Sequence, residues 1–329
     1  MSGLSNLWRT RDAPRPVVRP VAPGEIAAAL SLLLGTPEHL AHPAAVADFE
    51  ELSRQRGIDL TALQVATLDG RLAAAALPVS NAGRTVLLLV SPAGRSAVAA
   101  DAVARCAEAV VHALPAGPVP LIQTLLDPTE VRAATAMEAA GLKPLATLLY
   151  LQRRLRVGRF PPPDRGIGAC VHYSPATHVR FARAIEASYI DSMDCPPMRG
   201  LRSVDDVIAG HRATGEFDPD LWYCLTDGEQ ELGVLLLAPV TAQPMTELVY
   251  LGLAPAARGR RLGDALIKLA LHLAAERGDE LLTLAVDSSN IPALRAYYRN
   301  GLAEIARRVA LIRPPALNAP AAAAPEARA

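Results

Sequence analysis

The C-terminal half of the chain alternates short apolar runs with segments of helical periodicity. The turn signal Asp227-Gly228 separates the first two runs. Apolar residues then recur at helical spacing from Leu262 until Gly278, and a second helix begins with Pro292 in its first turn and ends near Gly301. Runs typical of strands occupy Trp222–Thr226, Gly233–Ala238, Glu247–Leu253, Leu281–Val286 and Ala303–Ile312. This order predicts a mixed sheet with helices on its faces.

The N-terminal half repeats part of this pattern. The segment Leu87–Val103 matches Tyr250–Leu266, and a second match lies further along in the same order. In the first match, Pro92, Arg95 and Asp101 are in register with Pro255, Arg258 and Asp264. In the second, Asp127, Ala133, Gly141 and Leu142 are in register with Asp287, Ala293, Gly301 and Leu302. We therefore interpret the chain as two copies of one α/β domain, with a repeat of about 160 residues.

Two segments interrupt this organisation. The stretch 157–168 contains three consecutive prolines and several glycines, which are typical of a linker. Residues 314–329 are a Pro/Ala-rich tail that we expect to be disordered and without chemistry. The predicted organisation is thus a first domain at 1–156, the linker, a second domain at 169–313 and the tail.

The loop that precedes the long helix concentrates positive charge and flexible backbone. It reads Arg258-Gly-Arg-Arg-Leu-Gly263. A helix N-terminus carries unpaired N–H groups and a partial positive charge, and Gly259 and Gly263 have no side chain to obstruct a close approach. Arg260, Arg261 and the amide of Leu262 complete a predicted site for a pyrophosphate group. The alternative is a solvated arginine turn before a core helix.

These residues resemble the GNAT superfamily of acyl-CoA-dependent N-acyltransferases. The family's phosphate loop, (Gln/Arg)-x-x-Gly-x-(Gly/Ala), is similar to Arg258–Gly263, although Arg261 stands where the family usually has glycine. A second family element is similar to the stretch from Asn290 to Leu302, which contains Tyr297. The resemblance implies an α/β fold of the α+β type, in which two tandem GNAT-like domains each have a mixed, mostly antiparallel sheet flanked by helices. It also implies acetyl-CoA as cosubstrate and an amine as acceptor.

The resemblance assigns roles to individual residues. In the family, a tyrosine at the position of Tyr297 protonates the leaving thiolate, and a phenol suits this role because its usual pKa of ~10 exceeds the ~8.5 of a thiol. Glu247 lies eleven positions before Arg258, where some members carry a general base. The backbone of Leu251 and Leu253 corresponds to the strand that meets the pantetheine arm. The alternatives are a packing role for Tyr297, and for Glu247 a solvated strand end with a water relay from elsewhere.

The first copy departs from the family pattern at the positions that matter for function. The residues in register with Gly259, Gly263, Asn290 and Tyr297 are Ser96, Ala100, Glu130 and Met137. We expect this copy to be degenerate and catalytically inactive, with a purely structural role or a retained thioester-binding role left open.

The segment Ser188–Arg212 lies where family members select the acceptor. Asp191, Ser192 and Asp194 are candidates for an acceptor pocket, and two carboxylates favour a cationic amine. The alternative is an ordinary connecting loop. The histidines show no metal-ligand spacing, so we expect no metal.

Composition narrows the class of protein. The chain of 329 residues has 33 basic and 33 acidic residues, which does not indicate bulk attraction to nucleic acid or a membrane surface. We expect a cytoplasmic monomer or homodimer with reduced cysteines. The predicted function is transfer of an acetyl group to a primary amine by direct attack in a ternary complex. A non-catalytic acyl-CoA-binding or scaffolding protein, acyl transfer to a hydroxyl, and a longer acyl chain remain alternatives.

Overall fold

The computed structural model describes residues 15–94, 96–114, 120–156, 158–163, 167–240 and 243–315. Arg95, residues 157 and 164–166 of the linker, and residues 316–329 of the tail lie outside these ranges. The chain divides into two compact units. Unit 1 lies within Met1–Val79, Leu88–Ala116 and Thr129–Leu142, and unit 2 within Ser80–Leu87, Gly117–Pro128 and Lys143–Ala329.

The regular elements are numbered in chain order. The strands are β1 Val17–Pro20, β2 Gln64–Leu68, β3 Arg71–Asn81, β4 Thr85–Val90, β5 Leu121–Leu126, β6 Lys143–Arg154, β7 Ala169–His172, β8 Trp222–Asp227, β9 Gln230–Val240, β10 Met245–Leu253, β11 Leu281–Asp287 and β12 Ala303–Arg313. The helices are α1 Ile26–Leu33, α2 Pro43–Arg56, α3 Ala97–Ala113, α4 Val131–Ala139, α5 His178–Ser188, α6 Val204–Arg212, α7 Leu262–Glu276 and α8 Ile291–Arg299.

Unit 1 packs helices against a short antiparallel sheet. β2 pairs with β1 on one side and with β3 on the other, both antiparallel. Leu30 of α1, Leu63 before β2 and Leu77 of β3 are fully buried in one apolar cluster. Val65 of β2 and Ala75 and Leu77 of β3 belong to this cluster, so side chains at alternate positions supply the core from one face of the sheet.

Unit 2 contains a mixed and mostly antiparallel sheet. Its strand order is β4-β5-β12-β6-β11-β10-β9-β8-β7, where β4 contributes its first residues. The pairs β4–β5 and β10–β11 are parallel, and the other described pairs are antiparallel. The sheet class predicted from the sequence is confirmed.

The repeat is confirmed by the positions of the elements. β5, α4 and β6 begin at residues 121, 131 and 143, and β11, α8 and β12 begin at 281, 291 and 303. Each difference is 160 residues, for example 281 − 121 = 160. Both parallel pairs are also short: Thr85–Leu87 pairs with Leu121–Gln123, and Met245–Glu247 pairs with Leu281–Thr283.

The last strands of the two sequence copies are exchanged. β6, which the sequence assigns to the first domain, lies between β11 and β12, and β12 lies between β6 and β5. The strand β6 therefore belongs to unit 2, although the predicted first domain extends to residue 156. The domain boundaries at 156 and 169 stay a prediction.

Two apolar clusters cover the two faces of the sheet in unit 2. On one face, Leu266 and Ile267 of α7 and Leu294 of α8 pack with Leu248 of β10 and Leu284 of β11. The other face carries a separate cluster of α5, α6, β8 and β9 that includes Phe181, Ile208 and Trp222. Across the described residues, no helix is both long and apolar enough to cross a membrane.

Candidate active site

The two parallel strands at the centre of unit 2 separate to form a cavity. β10 and β11 are paired over only three residues each, and a β-bulge interrupts the pairing of β10 with β9 between Leu248 and Tyr250. Beyond this point, the cavity has a volume of about 480 Å³ and is lined by β10 from Leu248 to Leu253 and by Ala285 and Val286 of β11. Because β11 has moved away, this edge of β10 presents backbone groups to whatever occupies the cavity.

The N-terminus of α7 opens into the same cavity. Gly259 (φ 73°) and Arg261 (φ 62°) are both left-handed, which the glycine adopts without cost. Arg261 is the N-cap of α7 and makes no capping hydrogen bond with its side chain. The first intrahelical bond runs from the Ala265 N–H to the Arg261 carbonyl at 3.2 Å. The three preceding N–H groups of α7 therefore have no intrahelical acceptor.

Gly263 leaves space that the protein itself does not fill. A Cβ atom added there would meet only Leu253 Cδ1, at 3.8 Å, which is ordinary van der Waals contact. The backbone of Gly263 also has no positive φ that would require glycine. The missing side chain thus widens the cavity at the helix N-terminus.

The side chain of Arg258 donates hydrogen bonds to four backbone carbonyls of the protein. Its Nε–H donates to the Leu253 carbonyl at 3.1 Å, and its Nη groups donate to the carbonyls of Ser188, Ile190 and Asp191 at 3.0, 2.7 and 3.2 Å. Its backbone N–H donates to Pro255. Arg258 therefore ties the C-terminus of α5 to the end of β10, and only one of its five side-chain N–H groups is left for a ligand.

Tyr297 lies on α8 with its ring in the apolar cluster and its side chain on the cavity wall. The residue is only 7% exposed, whereas the neighbouring Tyr298 is 45% exposed. Burial raises the pKa of the Tyr297 hydroxyl, and the nearby charge of Asp194 raises it further. The phenol therefore keeps its proton at neutral pH.

The loop after α5 closes another side of the cavity. Asp191 and Cys195 both have left-handed backbone conformations, at φ 52° and 43°. The Asp194 N–H donates to Ser192 Oγ at 3.1 Å, and Asp194 Oδ1 accepts a bond from the Asp287 N–H at 3.3 Å. In return, Asp287 Oδ2 accepts from the Cys195 N–H at 3.1 Å. These reciprocal bonds fix the loop to the end of β11.

The structure brings most of the sequence-predicted residues together. The predicted residues on the cavity wall are Asp191, Ser192, Asp194, Leu251, Leu253, Arg258, Gly259, Arg261, Leu262, Gly263, Asn290 and Tyr297. Glu247 and Arg260 do not line it. Burial raises the pKa of Glu247, which lies where β10 still pairs with β11, so its role as base stays a prediction.

Sequence reasoning missed three residues around the cavity. Tyr250 and Ser188 both line it, and their hydroxyl oxygens are 2.7 Å apart. The Asp287 side chain is buried and accepts a hydrogen bond from the Cys195 N–H of the loop after α5. The repeat had already marked Asp287, but Tyr250 lies next to a bulge, and bulges leave no reliable signal in a single sequence.

Comparisons with known proteins identify the family and the fold of the chain. The sequence profile of the acetyltransferase (GNAT) family matches residues 188–302. A mycothiol acetyltransferase from Mycolicibacterium vanbaalenii is 30% identical over 260 residues, which are 76% of this chain and 81% of that protein. The chain belongs to the GNAT family of acetyltransferases.

Other relatives match over shorter stretches. A mycothiol acetyltransferase from Corynebacterium glutamicum strain R is 29% identical over 175 residues, which are 49% of this chain and 59% of that protein. The chain thus spans less than two thirds of the length of this relative. A solved GCN5-related N-acetyltransferase from Sphaerobacter thermophilus superposes with a TM-score of 0.59 at 20% identity, covering 91% of this chain and 96% of that one. This likeness confirms the fold.

Proposed function

We propose that the chain is an acetyl-CoA-dependent N-acetyltransferase that moves an acetyl group to a primary amine by direct attack in a ternary complex. One observation carries the proposal. A single cavity joins an uncapped helix N-terminus, an open strand edge and a buried tyrosine hydroxyl. These are the three parts that binding of a thioester with a pyrophosphate group and protonation of a leaving thiolate require.

The helix N-terminus is the proposed pyrophosphate site. Leu262 and Gly263 line the cavity, their N–H groups have no intrahelical acceptor, and the partial positive charge of α7 favours an anion there. Arg261 adds a guanidinium group at the cavity wall. An adjoining cavity of about 740 Å³ shares Arg261, Asp264 and Arg299 with the first one.

The strand edge is the proposed site for the rest of the thioester. Backbone groups of Leu251 and Leu253 that have lost β11 as a partner can bind an extended amide-containing arm in the manner of an added strand. This places the thioester carbonyl near the bulge, and a backbone N–H of β10 would stabilise the oxyanion that forms on attack. Tyr297 then donates its proton to the leaving thiolate.

The acceptor is proposed to enter beside Asp191, Ser192 and Asp194. The loop that carries them is separate in sequence from the phosphate loop but shares the same cavity. A carboxylate at this place favours a positively charged amine over a neutral alcohol. The relatives are named mycothiol acetyltransferases, so mycothiol without its acetyl group is one acceptor to test.

A thiol-release assay on the full chain tests the proposal. Purified protein would be mixed with acetyl-CoA and, separately, with butylamine, spermidine, glucosamine, a peptide with an unmodified N-terminus, and deacetylated mycothiol. We expect thiol release that depends on one of these amines, together with a single acetyl-CoA site per chain in isothermal titration. Binding of acetyl-CoA without release with any of them would instead favour the acyl-CoA-binding protein considered from the sequence.

A further inference from the structure

Asp194 accepts a hydrogen bond from a backbone N–H and is influenced by the side chain of Asn290. Its Oδ1 accepts from the Asp287 N–H at 3.3 Å. Asn290 uses its side-chain oxygen to cap α8, where it accepts from the Ala293 N–H at 3.3 Å. The amide NH₂ of Asn290 is not used in this cap, and the Asn290 side chain lowers the pKa of Asp194. Asn290, which the family resemblance assigns to the cosubstrate, thus acts on a carboxylate of the cavity wall.

The hydrogen bonds of Ser188 determine what the Tyr250 hydroxyl can offer. Ser188 Oγ is 2.7 Å from the Ile185 carbonyl oxygen and 2.7 Å from Tyr250 Oη. A carbonyl can only accept, so the single proton of Ser188 is used there. Tyr250 must then donate its own proton to Ser188. The Tyr250 oxygen is left with lone pairs, and Tyr250 is one of the residues that line the cavity.

The charge of Asp194 acts on three tyrosines, of which Tyr250 and Tyr297 line the cavity. Burial raises the pKa values of Tyr189, Tyr250 and Tyr297, and the charge of Asp194 raises each of them further. Asp194 is an exposed residue of the loop, but the protein around its carboxylate displaces water and raises its pKa. The hydrogen bond from the Asp287 N–H lowers this pKa, and the charge of Asp287 raises it. A carboxylate with a raised pKa is a better proton acceptor.

The His211 ring packs against Tyr250 in its neutral form. The His211 ring stacks on Tyr250 with a centroid distance of 5.3 Å and an interplanar angle of 21°. Burial and the nearby Arg202 lower the pKa of His211 to about 4. His211 is therefore neutral at pH 7 and supports the Tyr250 ring without adding charge.

We propose that the acceptor binds as an ammonium cation between the Asp194 carboxylate and the Tyr250 hydroxyl oxygen, and that Asp194 is the base that removes its proton. The proposal rests on the acetyl transfer proposed above. An ammonium group has three N–H donors, which suit two acceptors and leave one for water. Asn290 and Ser188 are positioning residues, because they act on Asp194 and Tyr250.

The acceptor nitrogen loses two protons in the reaction. The ammonium group gives one proton to Asp194, and the neutral amine forms a C–N bond with the thioester carbonyl. The C–S bond breaks, and the thiolate takes the proton of Tyr297. The nitrogen loses a second proton, which restores the phenol of Tyr297, and Asp194 releases its proton to water. The products are the amide, the thiol of CoA and one proton.

Binding of a simple ammonium ion tests the site without requiring turnover. The full chain would be saturated with CoA and titrated with n-butylammonium chloride and, as a neutral comparison, with 1-butanol, with NMR chemical shifts as readout. We expect butylammonium to bind and 1-butanol to bind more weakly. Asp194→Asn should weaken butylammonium binding at least about tenfold, and Tyr250→Phe by about threefold to tenfold.

A surface carboxylate provides the matched control for this titration. Asp220 is exposed in the short 3-10 helix Pro219–Leu221, so Asp220→Asn removes one negative charge elsewhere and should leave butylammonium binding unchanged. The proposal is overturned if the Asp194→Asn variant binds butylammonium as tightly as the unmodified protein does. It is also overturned if butylammonium does not bind, or if 1-butanol binds equally well.

Kinetic measurements distinguish Asp194 from Glu247 as the base. They use the amine of the acceptor panel that gives the fastest thiol release. Asp194→Asn should lower kcat by roughly 10²–10⁴-fold with unchanged acetyl-CoA affinity, and Glu247→Gln should cost less. Ser188→Ala should raise KM for the amine more than it lowers kcat. A larger loss in Glu247→Gln would move the base to Glu247. Absence of thiol release in the unmodified protein would contradict the proposed function, while the titration still decides the ammonium site.

Discussion

The N-termini of α3 and α7 show how the two copies differ. In the sequence register that aligns Asp101 with Asp264, α7 begins two residues later than α3. The two additional residues, Arg260 and Arg261, follow Gly259 in the loop before α7. In this loop Gly259 and Arg261 have left-handed conformations. α3 instead begins directly after Ser96, whose Oγ accepts from the Ala99 N–H at 3.0 Å. The N-terminus of α3 is capped by the side chain of Ser96, whereas the N-terminus of α7 has no side-chain cap.

The difference continues at the residue proposed to donate the proton. Met137 on α4 is in register with Tyr297 on α8, and it is fully buried in unit 1. Both copies nevertheless keep a parallel pair of strands joined over three residues. The separated strands therefore belong to the fold, whereas the uncapped helix and the tyrosine distinguish the copy that we propose is active.

Removing the first copy should have the largest effect. A chain restricted to residues 157–329 lacks β6, which pairs with β11 on one side and β12 on the other. Two central strands would become exposed edges, which favour aggregation. We expect no cooperative thermal unfolding by circular dichroism. A chain that ends at Pro315 should behave like the full chain, and a cooperative fragment that binds acetyl-CoA would show that the exchanged strand is dispensable.

A glutamate introduced near the N-terminus of α7 should have the next largest effect, and the same change in α3 should have almost none. Gly263→Glu places a carboxylate where we propose that the pyrophosphate binds, and isothermal titration should show no measurable acetyl-CoA binding. An acidic residue in the first turn is favourable for a helix, so the melting temperature should not fall. Ala100→Glu makes the same change in α3 and should leave affinity and turnover nearly unchanged. Loss of turnover in Ala100→Glu with intact folding would show that the first copy holds a working site.

Removing one hydroxyl tests the tyrosine that only the second copy has. Tyr297→Phe keeps the buried ring and removes the proposed proton donor, so kcat should fall at least about tenfold while acetyl-CoA affinity and melting temperature stay the same. Tyr298→Phe makes the same change on the exposed side of α8 and should have no effect on kcat. A kcat within about twofold for Tyr297→Phe would leave Tyr297 as a packing residue.

The sequence predicts the elements of the second copy well because its signals are local. The long helix was predicted from Leu262 and is observed as Leu262–Glu276. The predicted strand Glu247–Leu253 is observed as Met245–Leu253. Periodicity and glycine stops reach only over neighbouring residues, and both are strong here. The GNAT family membership followed from two such local motifs and is confirmed by the comparisons.

The sequence could not predict features that depend on distant segments. Nothing near β6 indicates that it inserts between β11 and β12, because strand order is decided by long-range pairing. The bulge beside Tyr250 shifts the alternation of β10, so the face of Glu247 could not be read from spacing alone. The commitment of Arg258 to three carbonyls around the end of α5 is likewise a tertiary contact. An arginine in a phosphate loop looks the same in sequence whether it binds ligand or backbone.

Removing the cap of α3 should give the smallest effect and sharpen the comparison of the two helix ends. Ser96→Ala deletes the oxygen that accepts from the Ala99 N–H, and loss of such a cap costs about 1 kcal/mol of folding free energy. The melting temperature should fall by about 2–4 °C for a protein of this size range, without a change in acetyl-CoA affinity.

Arg261 makes no capping bond with its side chain, so Arg261→Ala should change the free energy of unfolding by less than about 0.5 kcal/mol. Differential scanning calorimetry of both variants measures the contrast. An unchanged melting temperature in Ser96→Ala would mean that the serine cap does not stabilise α3. A second acetyl-CoA site appearing in Ser96→Ala would show that this cap alone keeps the first copy closed to the ligand.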